Sequence, residues 1–277
     1  MIDLVTVVFR DELPILESQA ASVELYCQNI GIRNIYVVVN DEPGSCCIDP
    51  TWWGNLADCV TVIPRSVFGT EFVSNGWVSQ QALKLLAAAA STNTWSMVLD
   101  AKTVFVREVK LPELIDSQGR ACVGTMATFP VFEPARLIVN QLFNIDMTQQ
   151  LGPGGVPFML HNHTVREMIH KISAQTGCDF LSWFQAQGVL TEFMLYSGYV
   201  QYCFENFNTL YSSLLQFQPV NVCHSEVAAW DRKLAEMQQL RTLTVSVHRT
   251  AWQQLSSAQQ QQYQDLLTAR GIRKILT

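Results

Sequence analysis

The chain has 277 residues, of which 48% are hydrophobic and only 15% are charged, against about 25% charged residues in an average soluble domain. The apolar fraction excludes a disordered chain. A total of 18 Lys and Arg residues against 24 Asp and Glu residues gives a net charge of −6, which argues against a nucleic-acid partner. No apolar run reaches the roughly 18 residues of a membrane span, and residues 1–9 lack the basic start of a signal peptide. We therefore expect a globular cytoplasmic protein with no membrane span.

The protein has eight cysteines, none of them in a C-x-x-C pair. Structural zinc sites use paired ligands at short spacing, and disulfides are rare in reducing compartments. We expect reduced thiols that serve mostly as small buried side chains.

Residues 2–100 alternate apolar strands with helices. Continuous β-branched and apolar runs predict strands buried on both faces, and helix-spaced or Ala/Leu-rich segments predict helices between them. The predicted strands cover residues 2–9, 34–39, 59–63 and 95–99, and the predicted helices cover residues 11–30 and 78–90. This order argues for an α/β fold with a mostly parallel sheet and right-handed crossovers.

The rest of the chain is predicted to be richer in helices. Strands are expected at residues 104–106, 121–126 and 243–247, and helices at residues 134–143, 165–174, 179–186, 191–204, 226–240 and 252–267. The last helix is Gln-rich and amphipathic, and packing or assembly is its expected role. We divide the chain into a domain of residues 1–225 and an extension of helices and a strand, residues 226–277, packed on it.

Asp100 and Lys102 follow directly on the predicted strand 95–99, at the strand end where α/β proteins bind ligands. A carboxylate there can hold a divalent cation that bridges a diphosphate, and an ammonium can itself neutralise phosphate charge. The structural alternative is a turn aspartate beside a solvated lysine.

Two other segments carry groups suited to the same chemistry. Gln80 and Lys84 are one turn apart on the predicted helix 78–90 and either bind hydroxyls and phosphates or form a solvated face. Glu192 follows Thr191, a candidate N-cap. It is therefore either a first-turn carboxylate favoured by the helix dipole or a general base.

The histidines give no metal site by spacing. His161 and His163 form an H-x-H pair with His170 nearby, but neither His170 nor another residue stands at a spacing diagnostic of a third metal ligand. We expect these side chains to contact a substrate, cap a helix or lie at the surface. His224 is a lone histidine, for which a structural role is the expectation.

Three motifs of other enzyme classes are missing from the sequence. There is no G-x-G-x-x-G after the first strand, no G-x-x-x-x-G-K-[ST] and no G-x-S-x-G. This disfavours dinucleotide-binding dehydrogenases, P-loop enzymes and serine hydrolases. For a parallel-sheet protein with an aspartate at a central strand end, nucleotide-sugar chemistry remains.

Three further motifs resemble those of a group of GT-A fold glycosyltransferases found in bacteria and in cyanobacterial phages. They are Gly76-Trp77-x-x-Gln80-Gln81-x-Leu83-Lys84-Leu85, Val98-Leu99-Asp100-x-Lys102-Thr103-x-Phe105 and Thr191-Glu192-Phe193-x-Leu195-Tyr196-x-x-Tyr199. In that group the motifs read G-W-x-x-Q-Q-x-L-K-L, L-D-x-D-T-x-F and S-E-Y-x-x-Y. The resemblance covers residues 2–223 and implies a GT-A, Rossmann-like sheet flanked by helices.

The resemblance also implies roles for individual residues. Asp100 matches the first Asp of a metal-binding motif, and His224 is similar to a C-terminal histidine that completes the coordination. Glu192 would be a general base near the acceptor if the reaction inverts. The residues implied to bind the donor are Gln80, Gln81, Lys84, Arg10, Asn40 and Asp41.

One position departs from the motif, because Lys102 stands where the group has its second Asp. Either a divalent cation, expected to be Mn²⁺, is held by Asp100 and His224 with water, or the Lys102 ammonium replaces it. A retained cation is the expectation. Lys102 joins Asp100 and Glu192 as a candidate catalytic residue.

The activity that the resemblance implies is hexosyl transfer from a nucleotide sugar, expected to be a UDP-sugar, to a glycan, lipid or protein acceptor. The alternative is a degenerate GT-A module that binds a sugar nucleotide or a partner without turnover. A nucleotidyltransferase is disfavoured because no Gly-rich basic loop follows Phe9. A homo-oligomer is one option for assembly, and a phage-encoded chain would act in the host cytoplasm.

Overall fold

A five-stranded sheet forms the centre of the protein in the computed structural model, which describes residues 1–41, 44, 47–73, 75–152, 156–213 and 215–272. The strands are β1 (Ile2–Val8), β2 (Ile32–Val39), β3 (Val60–Pro64), β4 (Trp95–Asp100), β5 (Val104–Phe105), β6 (Ala121–Cys122), β7 (Thr125–Ala127), β8 (Gln149–Leu151), β9 (Phe158–His161), β10 (Tyr211–Ser212), β11 (Gln218–Val222) and β12 (Thr242–Val247). The α-helices are α1 (Leu13–Tyr26), α2 (Gly76–Ala90), α3 (Leu111–Leu114), α4 (Glu133–Phe143), α5 (Asn162–Thr176), α6 (Phe180–Gln187), α7 (Glu192–Phe204), α8 (Trp230–Met237), α9 (Arg249–Trp252) and α10 (Ser257–Ala269).

The central sheet has the order β3-β2-β1-β4-β9. Its first four strands are parallel, and β9 pairs antiparallel with β4 at the edge. Every residue of β1 is buried, as its continuous apolar run predicts for a strand covered on both faces. The prediction of a mostly parallel sheet flanked by helices is confirmed. The carboxyl ends of β1, β2 and β4 therefore meet at one edge.

A smaller sheet, β11-β12-β5, lies beside the carboxyl end of β4. β12 pairs in parallel with β11 and antiparallel with β5, which follows β4 by only a short turn. Its apolar side chains form a second core with α8 and α10, centred on Trp230 and Tyr263. The domain boundary at residue 225 stays a prediction, and β12, which follows that boundary, pairs with two strands that precede it.

Several helix predictions are wrong at their boundaries because capping groups interrupt the apolar pattern. Residues 226–240 do not form one helix: a 3-10 helix, His224–Ala229, precedes α8. The Glu226 carboxylate accepts the Cys223 N–H at 3.0 Å and fixes that turn. Residues 252–267 are likewise divided between α9 and α10, since the Ser256 hydroxyl accepts the Gln259 N–H and begins a new helix.

Two other predicted elements are shorter than expected. The helix predicted at residues 11–30 is α1 with a 3-10 turn at each end, Arg10–Glu12 and Gln28–Ile30. The strand predicted at residues 121–126 is two strands, because β6 pairs in parallel with β10 while β7 pairs antiparallel with β8.

The cysteines differ from the expectation in their burial. Cys46 lies outside the described residues, and the other seven are free thiols. Only Cys27 and Cys122 among those seven are buried, whereas Cys47, Cys178 and Cys203 are exposed. Within the described ranges, none of the helices combines the length and the apolar character that a bilayer crossing requires.

Gly198 sets the approach of α7 to α4, and we expect its replacement by alanine to destabilise the fold. A Cβ atom at this position would stand 2.1 Å from Cγ1 of Val139. Overpacking costs about 1–3 kcal/mol, of which a gain in helix propensity offsets at most about 1 kcal/mol. Urea unfolding of Gly198→Ala should show a free energy of unfolding lower by about 1–2 kcal/mol.

A second substitution provides the control for this prediction. Val139→Ala removes the methyl group that the new Cβ would meet, so the double variant should lose less stability than the sum of the two single variants. Strict additivity would contradict the contact.

Candidate active site

Two adjoining cavities open at the edge where the parallel strands end. The first, of about 910 Å³, lies between the ends of β1, β2 and β4 and the starts of α2 and α9. The second, of about 530 Å³, lies between the starts of α2 and α7 and the strands β11 and β12. Four residues line both cavities: Trp77, Gln81, Asp100 and His248. The position agrees with the rule that open α/β sheets bind ligands at their carboxyl edge.

The structure brings most of the predicted site residues to these cavities. The first cavity is lined by Arg10, Asn40, Asp41, Gln80, Gln81, Asp100 and Lys102. The second is lined by Gln81, Lys84, Asp100 and Glu192. His224 is exposed and lines neither of the two.

Lys84, Asp100, Lys102 and Glu192 form a charge cluster where the cavities meet. The Lys84 ammonium donates to Asp100 Oδ1 at 2.5 Å and to Glu192 Oε1 at 2.8 Å. The Lys102 ammonium donates to the other oxygen of Asp100, Oδ2, at 2.8 Å. The cluster therefore pairs two ammonium groups with two carboxylates and joins α2, β4 and α7.

Burial decides how these charges behave. The side chains of Lys84 and Glu192 are each 2% exposed, whereas Asp100 is 22% exposed. Burial alone would lower the pKa of Lys84, but the attraction of Asp100 and Glu192 outweighs it, and the pKa is raised. Burial alone would raise the pKa of Asp100, but Lys102 and Lys84 hold it well below its usual range. Lys84 and Asp100 are therefore both charged near pH 7.

Glu192 is placed by the start of α7. Thr191 is the N-cap predicted from the sequence, and its hydroxyl accepts the Met194 N–H at 3.2 Å. Burial raises the pKa of Glu192, although Lys84 opposes the shift. The amide of Gln81 lies against the same carboxylate, and assigning its nitrogen to the side that faces Glu192 lets it donate to that carboxylate. A buried carboxylate with a raised pKa at a cavity wall is typical of proton-transferring groups.

Asn40 lines the first cavity, but its amide is used in hydrogen bonds within the protein. Its Nδ2 donates to Ser79 Oγ at 2.9 Å and to the Gly76 carbonyl at 3.1 Å, which ties the end of β2 to the start of α2. Gly76 lies under the ring of Phe9, and a Cβ there would stand 2.7 Å from that ring. A side chain at position 76 would therefore have to displace the Phe9 ring.

His248, which the sequence analysis missed, faces both cavities from the end of β12. Burial, with the nearby Lys102 ammonium adding to it, lowers the pKa of His248 to about 4. The imidazole is therefore neutral near pH 7. The signal was present, because His248 follows an apolar strand as directly as Asp100 does.

Two other residues of the site were also missed. Arg65 lines the first cavity with its guanidinium 4.6 Å from the centre of the Phe72 ring. Trp77, 42% exposed, lines both cavities with a large aromatic surface. Nothing in the sequence marks Arg65, since its side chain reaches the site from a 3-10 turn after β3.

The histidines near residue 161 lie elsewhere, at the start of α5. His161 Nδ1 is 2.8 Å from Thr164 Oγ1, and His163 Nε2 is 3.3 Å from a carboxylate oxygen of Glu167. His161, His163 and His170 do not line either of the two cavities. His161 is the N-cap residue of α5 by position, but its side chain makes no capping hydrogen bond, whereas His163 and His170 lie at the surface, as expected.

The donor set does not fit the divalent cation that the resemblance implies. Each oxygen of Asp100 already bonds an ammonium, and at an effective dielectric of 20 a dication ~4 Å from an ammonium is repelled by roughly 8 kcal/mol. Among the described residues, no three His, Cys, Asp or Glu side chains are grouped to hold a metal ion. His224 lines neither of the two cavities that Asp100 lines, and the metal-ligand role expected of these two residues stays a prediction.

Comparison with known proteins places the chain in a family. A family model described as a family of unknown function, DUF6492, matches residues 9–259. The chain belongs to this family. No curated protein matches this DUF6492 protein.

Solved structures show the same fold at low sequence identity. The DUF6492 protein is similar to the galactosyltransferase LgtC in complex with donor and acceptor sugar analogs, with 14% identity over 96% of this chain and 95% of that chain and a TM-score of 0.51. It is similar to an active-site mutant of LgtC with 13% identity, the same coverage and a TM-score of 0.52. The likeness shows the GT-A fold, as the sequence motifs predict.

Removal of the Lys84 ammonium should strongly destabilise the DUF6492 protein. Lys84→Met leaves Asp100 and Glu192 as neighbouring carboxylates without the buried cation between them, and losing one partner of a buried pair costs about 3–5 kcal/mol. Urea unfolding should show a loss of that size. The double variant Lys84→Met/Glu192→Leu should recover part of it, and a loss below about 1 kcal/mol in the single variant would contradict the role of the pair.

His248 should make stability depend on pH. An imidazole whose pKa is lowered by folding stabilises the fold above its ordinary pKa of about 6.5, and this contribution is lost as the pH falls toward the folded value of about 4. Between pH 7 and pH 5 the loss is about 2 kcal/mol. We expect His248→Gln to remove this part of the pH dependence in urea unfolding, while His170→Gln, at an exposed position, should retain it.

Proposed function

We propose that this DUF6492 protein is a glycosyltransferase that moves a sugar from a nucleotide-sugar donor to an acceptor hydroxyl. The observation that carries the proposal is the pair of cavities that meet at Asp100 and Gln81, on the carboxyl edge of a GT-A sheet. One cavity is lined by cationic and amide groups together with carboxylates, and the other holds the buried carboxylate of Glu192 beside aromatic rings. A transfer between two bound molecules needs two such adjoining compartments.

The first cavity suits the nucleoside diphosphate. Arg10, Lys102 and Arg249 bring positive charge to it, and Gln80 brings an amide. Asp100 lies 2.8 Å from the Lys102 ammonium, and Asp11 lies 3.5 Å from Arg249. Arg65 and Phe72 stack at its wall and offer a flat surface to a base. Cationic groups at developing negative charge are the main electrostatic device for a phosphate leaving group.

The second cavity suits the sugar and the acceptor. Trp77, Phe129 and Phe132 supply aromatic surface, and Gln150 and Asn221 supply amides. Apolar walls with a few polar groups are the usual composition of small-molecule sites. The polar groups would orient ring hydroxyls against the aromatic surface.

Glu192 is the residue we assign to proton transfer. As the bond between the sugar C1 and the diphosphate oxygen breaks and the bond from C1 to the acceptor oxygen forms, the acceptor hydroxyl loses its proton. Glu192 faces the second cavity and has a raised pKa, which brings it closer to the range in which a general base works at neutral pH. Lys84 and Gln81 hold its carboxylate in place.

The likeness to LgtC supports a hexose as the transferred sugar. LgtC is described as a galactosyltransferase and was crystallised with donor and acceptor sugar analogs. Together with the sequence motifs, this makes UDP-hexoses the donors to test first, with a glycan, a lipid or a protein as the acceptor.

The direct test is a panel of UDP- and GDP-hexoses incubated with the protein, with release of the nucleoside diphosphate as the readout. Release above the rate without protein, even with water as the acceptor, is the expected result. Binding of donors without release would favour the binding module instead. Neither binding nor release with any donor would contradict the proposal.

Glu192→Gln should separate chemistry from donor binding. The amide keeps a hydrogen bond to Lys84 but cannot accept a proton, so we expect kcat to fall by roughly 100-fold or more with a donor KM within a few-fold. The matched control is Glu167→Gln, on the exposed face of α5, which should leave both constants unchanged. A wild-type kcat in Glu192→Gln would remove this residue from the chemistry.

A further inference from the structure

We propose that the Lys102 ammonium, fixed by Asp100, neutralises the donor diphosphate, so that this protein binds nucleoside diphosphates without a divalent cation. The inference rests on the proposed function, since it concerns the donor of that reaction. It follows from the way in which the charge cluster distributes its ammonium groups between the interior and the first cavity.

The two lysines of the cluster have different surroundings. Lys84, 2% exposed, lies between Asp100 and Glu192 and is satisfied by them. Lys102 is 15% exposed and lines the first cavity. Of these two lysines, Lys102 is therefore the one that can contact a ligand in the first cavity.

The Lys102 ammonium has donors to spare. An ammonium carries three N–H donors, and across the described ranges Asp100 is its hydrogen-bond partner. The ion pair holds the ammonium at the strand end, so little side-chain freedom remains to be lost when a phosphate binds. Two N–H groups are left for phosphate oxygens.

Asp100 is committed to the lysines. Its oxygens Oδ1 and Oδ2 accept hydrogen bonds from Lys84 and Lys102 at 2.5 and 2.8 Å. The negative charge of Asp100 therefore orients the two ammonium groups. A dication at this carboxylate would have to displace one ammonium and repel the other. Asp100 therefore positions the Lys102 ammonium, a cation of the protein itself, where a metal ion would otherwise be held.

The carboxylates beside the first cavity do not offer a replacement site. Glu12 accepts the Phe9 N–H at 3.2 Å, and Asp41 accepts the Arg10 N–H. The third carboxylate, Asp11, lies 3.5 Å from a guanidinium nitrogen of Arg249. Glu12 and Asp41 thus shape the ends of β1 and β2, and Asp11 is paired with an arginine. The ring of His248, neutral near pH 7, lines the same cavity as Lys102 and adds no positive charge to it.

The test is calorimetric titration of UDP, GDP and inorganic pyrophosphate into the full chain, once with excess EDTA and once with Mn²⁺. The dissociation constant of a bound probe should agree within about twofold between the two conditions. Lys102→Ala should weaken binding roughly 10- to 100-fold in both, the range for a hydrogen bond to a charged group. Lys110→Ala, an exposed lysine that lines neither cavity, should bind as the wild type does.

A third variant makes the test sharper. Lys102→Asp restores the acidic motif, so its binding should be weak in EDTA and stronger with Mn²⁺. Thermal melting of each variant shows that a loss of binding is not a loss of folding. Unlike turnover, these readouts need no acceptor.

The outcomes separate this inference from the proposed function. Wild-type binding that needs Mn²⁺, or binding unchanged in Lys102→Ala, would overturn the inference and leave the glycosyltransferase proposal standing. A wild type that binds none of the three probes in either condition would overturn both.

Discussion

The buried ion pair of Lys84 with Asp100 and Glu192 is the interaction on which the site depends. An ammonium on α2 that is 2% exposed can exist only with carboxylates beside it, and here they come from the end of β4 and the start of α7. Removing Lys84, Asp100 and Glu192 from water costs free energy, so these ion pairs by themselves are not a source of net stability. Their effect is geometric, because the hydrogen bonds of Lys84 link α2 to the end of β4 and to the start of α7.

This geometry is what a transfer reaction needs. Interactions that are already oriented before the substrate binds require no reorganisation in the transition state. The cluster holds Asp100 at the border of the two cavities, Lys102 in the wall of the first and Glu192 in the wall of the second. For a reaction that joins one molecule from each cavity, the charged groups are already connected to one another through the charge cluster.

The sequence predicts well what depends on local patterns. Continuous apolar runs identify β1, β2 and β4, and the rule of strand ends identifies Asp100. The same rule would have found His248 after β12, had it been applied to the late strand. Lys84 shows the limit, since helix periodicity cannot tell a solvated lysine from one that is buried against carboxylates 16 and 108 positions away.

Other differences come from capping and pairing. Ser256 begins a new helix within a continuous apolar pattern, and Gly124 separates two short strands with different partners. His224 was selected for its resemblance to a metal-binding histidine of the GT-A group, and His248 was not considered. Which histidine reaches the cavities is decided by the pairing of β12 with β11 and β5, a contact between distant parts of the chain.

The pairing of β12 also determines when the site can form during synthesis. A chain leaves the ribosome from its N-terminus, so the central sheet, α2 and the charge cluster can assemble while residues 242–250 are still missing. Until those residues emerge, β5 lacks its strand partner and both cavities lack the wall that His248 provides. A nascent chain of this protein would thus carry its charged groups in place and yet have no enclosed compartment in which to hold a ligand.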